Sequence, residues 1–151
     1  MKKLLFSVAA LAIGTWAIAQ DNATAAKPKV EDVLKFKEAK HDFGKIKQGV
    51  PVSCEFAFQN ISDKPVVIEN AWASCGCTTP TKPEQPTAKG KSNLIKAGFN
   101  AQNPGPFDKT VYVKVQGIDI PFELKITGEV LTAEAYAKYE AENKGKKSGS
   151  N

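Results

Sequence analysis

The chain has no arginine at all; its 21 basic residues are all lysines. Arginine is the side chain that grips phosphates and base edges bidentately, so a protein built to read nucleic acid is not expected. The lysines are dispersed among 16 acidic residues, the pattern of a solvated surface and not of a basic stripe. Histidine and methionine occur once each, as His41 and Met1, so no His-rich or Met-rich tract concentrates ligands for a metal. No phosphate loop, dinucleotide fingerprint or Ser/His/Asp set in a recognisable context is present. His41-Asp42 comes nearest to an acid–base pair, and a single His with no nucleophile beside it reads as structural. An enzyme is therefore not expected.

One long apolar run exists, at the start. Lys2 and Lys3 precede 16 residues, Leu4 to Ala19, that are almost wholly apolar or small. The run is short of the roughly 20 residues that span a bilayer. It ends in Ala17-Ile18-Ala19, the small-x-small pattern of a signal-peptidase site. Residues 1–19 thus read as a signal peptide cleaved between Ala19 and Gln20. The mature chain is expected in the periplasm or outside the cell, without stable membrane insertion. Loss of Lys2 and Lys3 lowers the formal charge from +5 to +3. What remains has the length of one domain with a real core.

Composition divides that remainder. Residues 20–33 are polar and aperiodic, a flexible leader. Residues 34–130 alternate apolar and polar with period two. The clearest case is Ile118, Ile120, Phe122, Leu124 and Ile126 against Asp119, Pro121, Glu123, Lys125 and Thr127. Val111/Val113/Val115, Ile95/Ala97/Phe99 and Cys54/Phe56/Phe58 alternate likewise, and Val66, Ile68 and Trp72 share a parity. Turn signals separate the runs at Gln48-Gly49, Asn60 to Pro65, Lys89-Gly90, Asn103 to Pro106 and Gln116-Gly117. The fold class expected is all-β, an immunoglobulin-like antiparallel β-sandwich of about seven strands. Its core is expected to hold Ile120, Phe122, Leu124, Val111, Val113, Ile95, Phe99, Phe56 and Phe58. Pro121 cannot donate to a ladder and marks an edge or bulge. Residues 131–143 read as a short helix capped by Thr132, with Leu131, Ala135 and Tyr139 on its packed face. Residues 144–151 read as a disordered tail.

The chemistry-bearing stretch is Ser74-Cys75-Gly76-Cys77-Thr78. Three readings are open to it. Cys75 and Cys77 converge on a soft metal, with Cu(I) the better guess because structural zinc needs four ligands. Alternatively they form a disulfide across one residue, a small strained ring suited to thiol exchange. The third reading is structural, with Cys54 paired to one of them. Cys54 shares the parity of Phe56 and Phe58 and reads as a buried bystander. Pro80, Pro83 and Pro86 follow, spaced so that a polyproline II loop aligns them on one side.

His41-Asp42-Phe43-Gly44, the Phe56-x-Phe58 strand with Asn60, Pro65-Val66-Val67-Ile68, Ser74 to Thr78, Lys89-Gly90-Lys91 leading to Phe99, and Gly105-Pro106-Phe107 occur in that order. The string, from about Phe36 to Gly128, resembles an exported bacterial family known as domain of unknown function 1573, common in Bacteroidetes. The resemblance implies a Hydin-type immunoglobulin-like sandwich, and it implies no activity. Carried over residue by residue, it singles out Cys75, Gly76 and Cys77. The function expected is a non-catalytic binding or scaffold module without a cofactor, meeting an envelope protein through an edge strand or the proline loop. The alternative is a periplasmic thiol protein using Cys75 and Cys77 for Cu(I) or disulfide exchange.

Overall fold

The computed structural model describes residues 27–147. The signal segment 1–19 and its cleavage point at Ala19 and Gln20 lie outside them. Eight strands follow in order: β1 (Leu34–Phe36), β2 (Lys40–Lys47), β3 (Val52–Asn60), β4 (Ile68–Ala73), β5 (Thr78–Thr81), β6 (Ser92–Phe99), β7 (Gly105–Val115) and β8 (Phe122–Leu131). A helix, α1 (Ala133–Lys147), closes the described chain. Two four-stranded sheets face each other, one ordered β1-β3-β6-β5 and the other β2-β8-β7-β4. The ladders are antiparallel except that of β2 with β8, which is parallel.

Period two fixes which residues meet between the sheets. Phe56, Phe58, Ile95 and Phe99 from the first sheet are buried against Val111, Val113, Leu124 and Ile126 from the second. Three apolar residues depart from the simple alternation, each for a local reason. Ile120 is 63% exposed, not in the core. Pro121 ends the pattern: β8 starts only at Phe122, and Ile118 is buried in the turn after β7, where its N–H reaches Val115 O at 3.1 Å. Phe122 is half-buried at the start of β8, stacked on Phe36 with centroids 4.7 Å apart. Trp72 is 39% exposed although Ile68 is buried, because a register shift between Ile68 and Asn70 inserts one residue and inverts the parity of the rest of β4.

The additional strand is β5, formed from the start of the proline-rich segment. Its Pro80 lies on a sheet edge. Asn100 N–H donates to Cys77 O at 3.0 Å, so Thr79 and Thr81 face β6 while Pro80 faces outward, where its missing N–H costs no ladder bond. Bends at Glu84 and Gln85 then break the segment, so Pro80, Pro83 and Pro86 do not share one polyproline helix.

The ends differ from the expected boundaries. Val30–Asp32, inside the expected leader, form a 3-10 turn whose Val30 is buried in the core. The α1 helix runs to Lys147, which removes residues 144–147 from the expected tail; residues 148–151 lie outside the described ones. Thr132 Oγ1 accepts from Ala135 N–H at 3.3 Å, which caps the helix start. The face that packs is Tyr136 and Tyr139, both half-buried, with Lys45 Nζ 5.1 Å from the Tyr139 ring centroid; Ala135 is exposed.

Asn60 organises one end of the sandwich. It is fully buried, yet its amide makes four hydrogen bonds. Nδ2 donates to Lys64 O and Thr87 O, each at 2.8 Å, and Oδ1 accepts from Ser62 N–H at 2.9 Å and Ser62 Oγ at 2.7 Å. One side chain thereby fixes the turn after β3 and the loop before β6.

Candidate functional site

The Ser74–Thr78 segment carries the chain from one sheet to the other, and it is tied at both ends. On the β7 side, Ser74 N–H donates to Thr110 O at 3.0 Å and Ser74 Oγ accepts from Thr110 N–H at 3.3 Å. On the β6 side, Cys77 O accepts from Asn100 N–H. Between these anchors Thr78 N–H donates to Cys75 O at 3.3 Å, which curls the segment into a turn. The turn brings Cys75 and Cys77 together with their Cα atoms 5.3 Å apart, joined by a disulfide. Both are half-buried.

The disulfide bears on each thiol reading. Bonded to each other, Cys75 and Cys77 offer no thiolate, so Cu(I) coordination requires the reduced pair. Among the described residues no group of three or more His, Cys, Asp and Glu side chains is placed to hold a metal ion. The pairing of Cys54 with Cys75 or Cys77 does not occur: Cys54 is free and 7% exposed. Burial first, then the carboxylates of Glu38 and Glu55, pushes its thiol up from 9.0 to about 11. It is held protonated and unreactive at neutral pH. His41 sits apart from the disulfide, edge-on to Phe43 at 4.7 Å with Glu38 Oε1 3.7 Å from its Nδ1.

Thr78 is the residue that sequence reasoning missed as a participant. It is buried, and its Oγ1 lies 3.7 Å from Cys75 Sγ and 3.9 Å from Cys77 Sγ. Its place directly after the second cysteine was the available signal. Beside the disulfide, on the outer face of the first sheet, runs a groove of about 400 Å³ that includes Ser53, Gly76, Cys77, Thr79, Lys96 and Gly98 among its walls. Ser53, Gly98 and Thr79 are direct neighbours across β3, β6 and β5, and glycine at the centre keeps the floor low. A Cβ at Gly98 would meet Thr79 Oγ1 at 3.0 Å.

The outer face of the second sheet carries a different feature. Trp72 on β4 stacks on Tyr112 of β7, ring centroids 5.4 Å apart and planes 21° from parallel. They are direct cross-strand partners, with Glu123 the partner of Tyr112 on the other side and Lys114 next along β7. The neighbouring edge of β4 is a poor template for another strand. It is short, it bulges after Ile68, and Asn70 Oδ1 already accepts the Ala71 N–H at 2.9 Å.

Solved structures with the same architecture are distant in sequence. A protein of unknown function from Porphyromonas gingivalis W83 matches with a TM-score of 0.55 at 11% identity, over 64% of this chain and 46% of that one. PapD-like domain 7 of human CEP192 matches with a TM-score of 0.55 at 7% identity, over 80% of this chain and 99% of that domain. The Vibrio cholerae VesB protease matches with a TM-score of 0.51 at 15% identity, over 66% of this chain and 32% of that one. The chain thus spans less than half of the Porphyromonas protein and of the protease, and these likenesses show the immunoglobulin-like, PapD-like fold alone. No curated protein matches the chain. The family described as protein of unknown function, DUF1573, matches residues 34–130, from the start of β1 to Val130 in β8, and the chain belongs to that family.

Proposed function

We propose that the protein is an exported, non-catalytic binding module of the cell envelope that holds a protein partner on the outer face of β4 and β7. The observation that carries this reading is the stacked pair of Trp72 and Tyr112, with Trp72 the one aromatic among the large apolar side chains left exposed in the described residues. Tryptophan and tyrosine are the side chains that most often anchor protein interfaces, and a charged rim such as Lys114 and Glu123 is how such anchors are bordered. The blunted β4 edge and the outward Pro80 of β5 favour binding on a face over strand addition at these edges. The absence of arginine speaks against nucleic acid as the partner. The experiment is a photo-cross-linking residue placed at position 72 in the native compartment, with a control at position 55 on the other sheet. One discrete protein adduct from position 72, unchanged in Cys75→Ser with Cys77→Ser, supports the reading. Adducts from position 55 only, or none from 72, overturn it.

The disulfide favours a second reading, thiol exchange at Cys75 and Cys77. Cu(I) binding would be a property of the reduced pair only, and titration of the reduced protein with Cu(I) under anaerobic conditions tests it.

A further inference from the structure

We propose that the groove over Gly98 is a docking site for a cysteine-bearing peptide segment, and that Cys77 is the sulfur its thiolate attacks. It rests on the thiol-exchange reading of Cys75 and Cys77 and is independent of the Trp72 face, which lies on the other sheet. Four observations converge on it. The disulfide is half-exposed, and accessible disulfides are the exchangeable class. It is asymmetric towards the groove: Cys77, which also packs against the core, lines it, and Cys75 does not. The groove crosses three strands along Ser53, Gly98 and Thr79, about 10 Å from the first to the third, which fits about three residues of an extended segment, and Lys96, beside its cross-strand partner Glu55, supplies a positive charge for a thiolate.

The fourth observation is Thr78. Its buried hydroxyl has only the two sulfurs as partners among the described contacts, and Cys75 Sγ is the nearer. A buried hydroxyl aimed at a disulfide gains little from it, since a bonded sulfur is a weak acceptor. It gains much from a thiolate. In the exchange step the incoming thiolate forms a bond to Cys77 Sγ. The Cys75–Cys77 bond breaks, and its electron pair leaves on Cys75 Sγ, which accepts the Thr78 hydroxyl. The incoming cysteine is oxidised into a mixed disulfide and Cys75 is reduced; no other reactant is needed. Attack by Cys75 on the mixed disulfide reverses the step. Cys54, buried and protonated, takes no part.

The test uses the full chain, a cysteine-containing hexapeptide and free cysteine at equal thiolate concentration, followed by acid quench, alkylation and peptide mapping. The peptide is expected on Cys77, with Cys75 alkylated and Cys54 unmodified, and the hexapeptide should react about tenfold faster than free cysteine. Lys96→Ala should slow the exchange with both thiols, because each attacks as a thiolate. Thr78→Val should slow the exchange about tenfold and raise the pH at which reduced Cys75 is alkylated, and Thr78→Ser should restore both. A purely structural Thr78 would leave that pH profile unmoved. An adduct on Cys75, equal rates for the two thiols, or a pair that stays oxidised in excess peptide thiol overturns the proposal.

Discussion

Replacing Asn60 by alanine isolates the contribution of one buried amide to the whole end of the sandwich. The side chain uses both donors and both acceptor positions, on Lys64 O, Thr87 O, Ser62 N–H and Ser62 Oγ. Each such bond contributes about 1 kcal/mol net, so four give about 4 kcal/mol. The heavier cost of orphaned carbonyls is avoided. Thr87 O still accepts from Val66 N–H at 2.9 Å, and the single Ser62 O–H, released from Asn60 Oδ1, turns to Lys64 O 2.9 Å away. The expected loss is therefore about 3–5 kcal/mol, a large share of the roughly 5–15 kcal/mol typical of a domain. In urea, with a slope near 2 kcal/mol/M, the unfolding midpoint should fall by about 2 M with the slope unchanged. Asn60→Asp sets a second carboxylate oxygen against the Lys64 and Thr87 carbonyl oxygens in a fully buried place, so a loss at least as large as that of Asn60→Ala is expected. A loss below about 1 kcal/mol for Asn60→Ala would show that the loops hold themselves and that the amide is incidental.

Gly128→Ala places a Cβ 2.8 Å from Gly44 O and 2.7 Å from Phe107 Cζ, where β2 bulges against β8. Backbone must move, and thermal unfolding should show a loss of about 1–3 kcal/mol; an unchanged midpoint would mean that β2 is not seated there. Phe56→Ala should cost about 3–5 kcal/mol in denaturant unfolding because Phe56 is fully buried, and Phe122→Ala should cost clearly less because Phe122 is half-buried on Phe36. Equal losses would contradict the start of β8. Cys54, with its thiol raised from 9.0 to about 11, keeps its proton in the folded state where the unfolded chain has lost it. Its contribution is therefore fully present below about pH 9 and is lost as pH rises towards about 11, by at most about 1.4 kcal/mol per unit. Urea unfolding of the wild type against Cys54→Ala across that range should show the wild type losing stability faster, and parallel curves would refute it.

Much of the fold was legible because burial between two sheets imposes a period of two, and Phe56/Phe58, Val111/Val113 and Leu124/Ile126 obey it without interruption. Its failures fall where one residue breaks the count. Pro121 detaches Ile120 from β8, and the bulge after Ile68 turns Trp72 outward; neither is visible in a pattern that assumes an unbroken strand. The β5 strand was hidden by Pro80, which reads as a loop residue until its edge position is known. At the site, the spacing of Cys75 and Cys77 made their joining legible, since a turn over one residue is enough to bring them together. The Gly98 floor and Lys96 come from another strand, and only the register of β5 on β6 places them beside Cys77.

Oxidative footprinting of Trp72 in intact cells against the purified protein, read by peptide mass, tests the binding-face account most directly. Trp72 should be oxidised readily in the purified protein, where it is exposed, and protected in cells, where the partner covers the Trp72–Tyr112 stack. Equal oxidation in both settings would contradict the account.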